Sequence, residues 1–259
     1  MIFLEVNGII KNFKGLRALN GVGFSIQQGE ILGLIGPNGS GKTTLFNIIT
    51  GFLNPTGGQV LFKGKRITGL KPNQIAGFGI GRVFQHSSLF PNLSVKENLI
   101  IARHLRTSNN ILGSFVNTRA YLKEELNLEQ KATELLAFVG LQSRRDMLAK
   151  NLPYGEQREL ELAMALAAEP ELLLLDEPAT GMNPGETTRL IDLVRRLREI
   201  GVTILVVEHN MKLVMGICSR IIVINFGVKI AEGTPEEITS NGEVISAYLG
   251  KSSNVAKSR

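Results

Sequence analysis

Gly36-Pro37-Asn38-Gly39-Ser40-Gly41-Lys42-Thr43 is a glycine-rich loop between two apolar segments. The preceding run, Ile31–Ile35, predicts a strand, and residues 44–49 have the apolar spacing of a helix. A strand, a loop with glycines at both fixed positions and a closing Lys-Thr, and then a helix form the pattern of a phosphate-binding loop. The glycines let successive backbone N–H groups point inward, and the helix adds the positive end of its dipole. The sequence therefore predicts a site for a nucleoside triphosphate.

The loop also supplies candidate contacts for the phosphates and for a metal ion. Lys42 is expected to reach the β- and γ-phosphates, and the Thr43 hydroxyl is expected to bind Mg²⁺. A glycine-rich turn that matches by accident is the competing interpretation, and the flanking strand and helix argue against it. The predicted nucleotide-binding residues of this segment are Gly36, Pro37, Asn38, Gly39, Ser40, Gly41, Lys42, Thr43 and Thr44.

An acidic pair follows a second predicted buried strand. Residues 172–175 are four leucines, and Asp176 and Glu177 come directly after them. A carboxylate at the end of a buried strand beside the phosphate loop suits Mg²⁺, usually through coordinated water. Glu177, one residue further on, could polarise an attacking water. Because strands often end in acidic residues, this functional interpretation depends on the pairing of the segment with the loop.

Composition and charge leave several classes of partner open. Apolar residues make up 43 % of the 259 residues, which is ordinary for a globular chain. The net charge of +6 permits contact with nucleic acid or an anionic membrane, but basic residues are scattered except in 251–259, which we expect to be a short, poorly ordered end. The single cysteine, Cys218, excludes an internal disulfide and is expected to be a small buried residue.

A membrane connection is expected to run through a partner. The N-terminal residues lack the pattern of a signal peptide, because a glutamate follows the first four residues. No run approaches the roughly 18 apolar residues that a spanning helix needs.

The order of predicted elements indicates an α/β fold with two additions. Short β-like runs before the loop, among them residues 3–6 and 9–13, predict an antiparallel sheet. Helical patterns then dominate before continuous apolar runs typical of parallel strands return. We therefore expect a P-loop NTPase (RecA-like) core with a mainly parallel sheet and an N-terminal antiparallel β-subdomain, formed by residues 1–93 and 169–259. Residues 94–168 are expected to form an inserted α-helical subdomain.

Capping signals predict where several helices begin. A capping side chain is followed three residues later by glutamate in the pairs Ser94/Glu97, Asn183/Glu186 and Thr234/Glu237. The last pair is expected to open the final, short helix. Residues 106–119 are polar and predict a loop, and residues 122–139 predict a helix.

Taken in order, the motifs between residues 13 and 215 resemble those of the ATP-binding subunits of ABC transporters. Gln85 and the residues after it are similar to that family's Q-loop, in which the glutamine senses Mg²⁺ and the γ-phosphate and the loop faces the membrane partner. His209 matches the switch histidine that touches the γ-phosphate. Phe13 lies where the family places a ring that stacks on adenine, and a core phenylalanine of the β-subdomain is the alternative. His86 and His104 are expected to be surface residues.

The signature segment departs from the family's commonest pattern. Where Leu-Ser-Gly-Gly-Gln is common, residues 152–158 read Leu-Pro-Tyr-Gly-Glu-Gln-Arg. Pro153 lacks the hydroxyl that usually contacts the γ-phosphate, and Tyr154 replaces a glycine. Gly155 still stands at a helix start, where N–H groups can face an anion. The Tyr-Gly pair, Asn-Pro at 183–184, residues 208–215 and the lobe at 112–122 are similar to the branched-chain amino-acid importer branch.

The resemblance implies a set of residue roles. Catalytic roles fall to Glu177, His209, Gln85 and Lys42. Metal contacts fall to Thr43, Gln85 and Asp176. Nucleotide contacts beyond the loop fall to Phe13, Tyr154, Gly155 and Glu156.

The resemblance also implies ATP-driven import of a small solute, such as branched-chain or related amino acids. In this family two ATPase subunits pack head to tail, and each ATP, with Mg²⁺, lies between the phosphate loop of one and the signature segment of the other. The implied partners are a homologous or identical ATPase subunit, two membrane permease subunits and, indirectly, an extracytoplasmic solute-binding protein. The implied location is peripheral, at the cytoplasmic face of the cell membrane.

Two other readings stay open at this point. A soluble ABC-type ATPase acting on nucleic acid or ribosomes usually carries tandem cassettes or a long coiled coil, and the sequence has neither. A non-catalytic scaffold with a degenerate cassette is encouraged by Pro153, but Lys42, Asp176, Glu177 and His209 are all present. No nucleic-acid partner is expected.

Overall fold

The computed structural model describes residues 1–85, 89–107 and 119–253, with side chains for 1–85, 89–103 and 126–248. The strands are β1 (Ile2–Phe13), β2 (Leu16–Gln27), β3 (Ile31–Ile35), β4 (Gly57–Phe62), β5 (Lys65–Arg66), β6 (Ile80–Val83), β7 (Leu172–Asp176), β8 (Thr203–Val207), β9 (Arg220–Asn225) and β10 (Val228–Gly233). The helices are α1 (Lys42–Ile49), α2 (Pro72–Gly77), α3 (Val95–Thr107), α4 (Arg119–Val139), α5 (Tyr154–Ala167), α6 (Pro184–Glu199), α7 (Met211–Ile217), α8 (Pro235–Ser240) and α9 (Gly242–Ser253). Short 3₁₀ turns occupy Gln142–Arg144 and Ala149–Asn151.

The larger sheet has the strand order β10-β9-β3-β8-β7-β6, and its pairs are parallel except for β10 against β9. Every residue of β3, β7 and β8 is buried, because both faces of the sheet are covered. Because both faces are covered, these three strands have continuous apolar runs that do not alternate with polar residues. The segments after β3, β6, β7 and β8 all leave the same edge of the sheet, which is where ligands bind in open α/β folds.

Alternate residues of the central strands face different layers. Leu173 and Leu175 join a core cluster that includes residues of α3 to α6. Leu172 and Leu174 join a second cluster, formed with α1 and the smaller sheet. The parallel sheet is therefore the middle of three layers, and the mainly parallel core that the sequence predicts is confirmed.

The smaller sheet is antiparallel, with the order β2-β1-β4-β5. The separate runs expected at 3–6 and 9–13 are instead one strand, β1, which continues through Gly8 at a φ of 59°. The pairing with β2 shifts register on either side of that glycine, so the strand bends without ending. The β1–β2 hairpin turns at Lys14 and Gly15, and this turn carries Phe13 toward the edge of the larger sheet.

Helices α3, α4 and α5 follow one another between β6 and β7 and pack together. The capping box that opens α3 is confirmed, since the Ser94 N–H donates to Glu97 Oε2 at 2.7 Å and the Glu97 N–H donates to Ser94 Oγ at 3.2 Å. Helix α3 continues to Thr107 and α4 begins at Arg119, so the ends of the loop expected at 106–119 are helical. The rest of that loop lies outside the described residues, as does most of the lobe noted at 112–122.

The C-terminal part corrects one prediction. Thr234 caps α8 as expected, but α8 is followed by α9, so it is not the last helix, and residues 251–253 belong to α9. The start of α9 depends on Asn241, whose Oδ1 accepts from the N–H groups of Glu243 and Val244 at 2.9 and 3.2 Å. Residues 254–259 lie outside the described residues. Among the helices described, none combines the length and the apolar character that crossing a bilayer requires.

Candidate functional site

The loop between β3 and α1 requires glycine at two positions for steric reasons. A Cβ atom at Gly36 would lie 2.0 Å from the carbonyl oxygen of Ile224, in the neighbouring strand β9. At Gly41, where φ is 108°, a Cβ would lie 2.8 Å from the carbonyl oxygen of Ala18. The loop is therefore pressed between β9 and β2, and its curled path is available only to a chain without side chains at these points.

The side chains of the loop are arranged for an anion. Lys42 is buried, and its Nζ donates to the carbonyl oxygens of Gly36 and Pro37 at 2.8 and 3.1 Å, which holds the ammonium group over the loop. Ser40 is only 2 % exposed, and its Oγ has no hydrogen-bond partner among the described residues. An orphaned buried hydroxyl normally has a ligand, water or ion to bond, and a phosphate oxygen fits this one.

A cleft of about 880 Å³ opens above the loop. Its volume suits a nucleotide-sized ligand. Residues predicted from the sequence that line it are Phe13, Gly36, Pro37, Asn38, Gly39, Ser40, Gly41, Lys42, Thr43, Thr44, Gln85, Glu177 and His209. Residues that line it and that the sequence did not indicate are Leu16, Arg17, Ala18, Phe226 and Tyr248. The fold thus brings together segments that are up to 235 residues apart in the chain, from Phe13 to Tyr248.

Phe13 is exposed at the hairpin end, with 41 % of its surface accessible, so the reading of this residue as a core phenylalanine is wrong. Lys11 Nζ lies 5.0 Å from the centre of its ring. Tyr248, in α9, lines the same cleft and interacts with the loop at Gly36. Burial raises the pKa of the Tyr248 hydroxyl, and hydrogen bonding to the Gly36 backbone offsets part of that rise. The local sequence does not indicate Tyr248, because only the single Asn241 marks the start of the helix that carries it.

The carboxylate of Glu177 is the centre of a small polar cluster. Gln85 Nε2 donates to Glu177 Oε2 at 2.9 Å, and His209 Nδ1 lies 3.8 Å from the same oxygen. Glu177 has a φ of 50°, in the left-handed region that non-glycine residues rarely adopt. Its backbone N–H donates to the carbonyl of Val207, at the end of β8, at 2.9 Å. The residue is therefore fixed at the sheet edge, facing the cleft.

Glu208 places the histidine. It is 1 % exposed, and its Oε2 accepts from the backbone N–H groups of His209 and Asn210 at 2.8 and 2.9 Å. Its Oε1 accepts from the N–H of Ala179 at 2.8 Å. One buried carboxylate thus joins the segment after β7 to the segment after β8. In the sequence Glu208 is only one residue of the 208–215 motif, and its contacts depend on the pairing of β7 with β8 in the sheet.

Asp176 lies beside the cleft but is not among the residues that line it. Its Oδ2 accepts from Arg82 Nη2 at 2.7 Å, and both side chains are only 7 % exposed. Arg82 also donates to Asn47 Oδ1 at 2.7 Å and to Thr50 Oγ1 at 3.1 Å. The sequence did not indicate Arg82, whose importance comes from the parallel pairing of β6 with β7. The metal contact predicted for Asp176 stays a prediction.

The signature segment lies outside the cleft of its own chain. Gly155 stands in the first turn of α5, where a Cβ would lie 2.8 Å from the side chain of Glu186, the residue that closes the Asn183 capping box. Glu156 pairs with Arg144 at 3.2 Å. The Tyr154 hydroxyl donates to the carbonyl of Thr180 at 3.0 Å. None of these three residues lines the cleft, and the nucleotide contacts predicted for them stay predictions.

The remaining cysteine and histidine predictions have simple outcomes. Cys218 is buried as expected, and burial, assisted by the nearby charge of Glu208, raises the pKa of its thiol to about 12. His86 and the side chain of His104 lie outside the described residues. Within the described ranges, no cluster of three or more His, Cys, Asp or Glu side chains could hold a metal ion by itself.

A glycine loop at the end of a central parallel strand, with a lysine over it and a glutamate and a histidine across the cleft, defines a P-loop nucleotide-binding protein. Comparison with known proteins narrows this class. The family model described as ABC transporter matches residues 19–180, and a model described as branched-chain amino acid ATP-binding cassette transporter matches residues 228–253. The chain belongs to the ABC transporter family, as an ATP-binding cassette.

Individual relatives agree with this assignment. The high-affinity branched-chain amino acid transport ATP-binding protein LivG of Salmonella typhimurium is 45 % identical over 96 % of this chain and 98 % of its own. A crystal structure of the ADP conformation of an ATP-binding cassette of an ABC transporter is similar with a TM-score of 0.85 and 32 % identity, covering 96 % of this chain and 99 % of the other. A dimeric ATP-binding cassette in a post-hydrolysis state, bound to ADP and Pi, is similar with a TM-score of 0.74 and 25 % identity, covering 90 % and 98 %.

Proposed function

We propose that the chain is the ATP-hydrolysing subunit of an importer for branched-chain or related amino acids. The observation that carries the proposal is the cleft in which the phosphate loop faces Glu177, Gln85 and His209. The substrate class rests on similarity, because LivG and the matched C-terminal family are both named for branched-chain amino acids. A role on nucleic acid or ribosomes is not favoured, since the relatives above are named as transport proteins.

The residues of the cleft have chemically distinct roles in this proposal. Backbone N–H groups of the loop, the Ser40 hydroxyl and Lys42 bind the phosphates, and the Phe13 ring stacks on adenine. Thr43 and Gln85, together with Asp176 beside the cleft, would hold Mg²⁺, whose chemistry is to neutralise charge on the phosphate oxygens. These oxygen donors are of the type that Mg²⁺ prefers.

Glu177 is suited to orient the attacking water. Its carboxylate oxygen accepts from the Gln85 amide at 2.9 Å and lies 3.8 Å from His209 Nδ1, and all three residues line the cleft. A carboxylate held this way can accept a proton from water as the water approaches the γ-phosphate. His209, with its backbone fixed by Glu208, supplies a donor to the same phosphate.

A head-to-tail dimer would complete the site. The first residues of α5, Gly155 among them, do not line the cleft of their own chain, so in a single chain the positive end of that helix has no nucleotide to bind. In the proposed dimer, this helix end covers the nucleotide of the neighbour, and hydrolysis removes the charge that bridges the two. The solved dimeric cassette with ADP and Pi is a relative with such a stoichiometry.

A groove beside Gln85 is the proposed contact for the membrane permease subunits. It has a volume of about 530 Å³ and is lined largely by apolar residues, including Ala76, Phe84, Phe90, Ala102 and Met164. Phe84 and Phe90 are exposed by 37 % and 42 %. Exposed aromatic rings beside a groove are typical of a surface that a partner covers, and this one would hold the chain at the membrane.

Steady-state ATPase measurements on the purified chain test the proposal. Glu177→Gln is expected to lower turnover strongly and to accumulate an ATP-bound dimer by size-exclusion chromatography, because binding is kept while water activation is lost. Lys42→Ala is expected to abolish ATP binding or hydrolysis. Glu199→Gln, at the end of α6, and Lys65→Ala, in the outer strand β5 of the smaller sheet, change exposed residues that do not line the cleft and serve as matched controls. Wild-type turnover in Glu177→Gln, or unchanged activity in Lys42→Ala, would contradict the assignment.

A further inference from the structure

Arg158, in the second turn of α5, is a buried arginine with every N–H group engaged. It is 8 % exposed. Nε and one N–H of Nη2 donate to the Tyr154 hydroxyl at 3.0 and 2.8 Å. The other Nη2 N–H donates to the carbonyl of Gln85 at 2.6 Å, and Nη1 donates to Glu161 Oε2 at 2.6 Å and to the carbonyl of Phe84 at 3.4 Å. Arg158 therefore connects helix α5 to the backbone carbonyl groups of Phe84 and Gln85.

The charge of Arg158 is stable in this position. Burial opposes ionisation, but hydrogen bonding and charge attraction from Glu161, and then from Tyr154, outweigh it and raise the pKa of the guanidinium. These contacts need the planar guanidinium group of an arginine, because its N–H groups reach Tyr154, Glu161 and the Phe84–Gln85 backbone in three different directions. Lysine could make only some of them.

Tyr154 continues the connection toward Glu177. Its hydroxyl, which accepts from Arg158, donates to the carbonyl of Thr180 at 3.0 Å. Its ring lies against Gly181, where a Cβ would be 3.1 Å from Tyr154 Cε1 and where φ is 81°. The ring therefore packs on a position that glycine fills best, and a glycine at 154 would leave both contacts unmade.

The connection closes on the proposed catalytic carboxylate. Thr180 Oγ1 lies 3.4 Å from Glu177 Oε2, and the Thr180 N–H donates to the Glu177 carbonyl at 3.2 Å. Glu177 Oε2 in turn accepts from the Gln85 side chain at 2.9 Å. The contacts form one closed ring: Gln85, Arg158, Tyr154, Thr180, Glu177 and back to Gln85.

We infer that Tyr154 and Arg158 are positioning residues that hold Gln85 and Glu177 of their own chain in register for hydrolysis. The inference rests on the proposed function of Glu177. It adds a second role to the signature segment, whose only role in the proposed dimer is to cover the nucleotide of the neighbouring chain. The first residues of α5 thus contact the nucleotide of the neighbouring chain through the helix end, and they position Gln85 and Glu177 of their own chain through the side chains of Tyr154 and Arg158. The physical link is a chain of hydrogen bonds, of 2.6–3.0 Å except for the 3.4 Å contact between Thr180 and Glu177, in which each donor and acceptor has a named partner.

Tyr154→Phe is the decisive change, because it removes one oxygen and keeps the ring on Gly181. The kcat for ATP is expected to fall about tenfold, as for loss of hydrogen bonds to a buried charged group, while the Kd for ATP stays within about twofold of wild type. In a Gln85→Ala background the same change is expected to lower kcat by less than about twofold, because the closed ring of hydrogen bonds is already broken between Gln85 and Glu177. Arg196→Lys alters an exposed guanidinium stacked on Phe138 at 5.0 Å, outside the ring, and serves as the control.

Amide hydrogen exchange gives a second readout that does not need turnover. Without nucleotide, the Thr180 N–H and its neighbours in 177–182 are expected to exchange at least several-fold faster in Tyr154→Phe and Arg158→Lys than in wild type or Arg196→Lys. The inference is overturned if exchange there is unchanged, or if Tyr154→Phe lowers kcat by the same factor with and without Gln85. A wild-type chain that binds ATP but does not hydrolyse it would refute the proposed function, while the exchange result would still decide the positioning role.

Discussion

Replacing Arg82 by methionine should destabilise the fold far more than a single ion pair at the surface would. Arg82 and Asp176 are each about 7 % exposed at the side chain, and their atoms are 2.7 Å apart. Removal of the guanidinium leaves the Asp176 carboxylate buried without its counter-charge and also removes the contacts to Asn47, Thr50 and the Phe84 ring, whose centre is 4.7 Å away.

The magnitude follows from the buried carboxylate. Breaking a buried pair from one side costs about 3–5 kcal/mol in the free energy of unfolding, because the remaining charge stays desolvated. With a urea slope of roughly 3 kcal/mol per molar, the unfolding midpoint should fall by more than about 1 M. Arg145→Met is the matched control, since Arg145 pairs with Asp146 at 3.0 Å and both side chains are exposed, by 59 % and 79 %, so we expect a loss within about 1 kcal/mol.

Urea unfolding followed by circular dichroism measures both variants. The double variant Arg82→Met/Asp176→Asn should recover a large part of the loss, because the neutral amide removes the orphaned charge. The reasoning is refuted if Arg82→Met and Arg145→Met lose the same stability, or if the double variant is as unstable as Arg82→Met. Stability is the appropriate readout, since Asp176 also belongs to the proposed metal site.

Three further predictions can be checked separately. Phe13→Ala should raise the Kd for ATP, measured by calorimetry, about tenfold or more with the fold intact, because base stacking contributes about 1–3 kcal/mol. An unchanged Kd would show that Phe13 does not contact the nucleotide. Asn183→Ala should lower the free energy of unfolding by about 1 kcal/mol, because the side-chain oxygen of Asn183 caps α6 by accepting from the N–H groups of Gly185 and Glu186. Asn183→Asp keeps such an oxygen and should lower it by much less. Equal losses in the two variants would show that the cap contributes nothing. The thiol of Cys218 has a pKa of about 12 when folded and near 8.5 when unfolded, so its contribution to stability is complete below about pH 8.5 and is lost as pH rises toward 12. Iodoacetamide at pH 9 should accordingly label the chain only as fast as it unfolds, and labelling as rapid as in urea would contradict the burial.

Much of this protein could be read from local sequence. The phosphate loop, the buried strands that carry Asp176 and Glu177, and the helix starts at Ser94, Asn183 and Thr234 are encoded by short patterns, because glycine dihedrals, capping hydrogen bonds and apolar periodicity act over a few residues. The resemblance to ABC cassettes extended those patterns to Gln85 and His209. The sequence does not predict helix α9, because its only signal is Asn241, which has no acidic partner three residues on.

Tertiary structure alone decided which side chains meet. Arg82 is an ordinary strand residue in the sequence, and it became the partner of Asp176 because β6 and β7 pair in parallel. Tyr248 reached the cleft because a C-terminal helix returned to the loop, and Tyr154 with Arg158 closed a ring around Glu177 because α5 packs beside the ends of two strands. Contacts between residues distant in the chain depend on sheet order and helix packing, which no local pattern records, whereas backbone geometry at the phosphate loop is fixed by the loop's own residues.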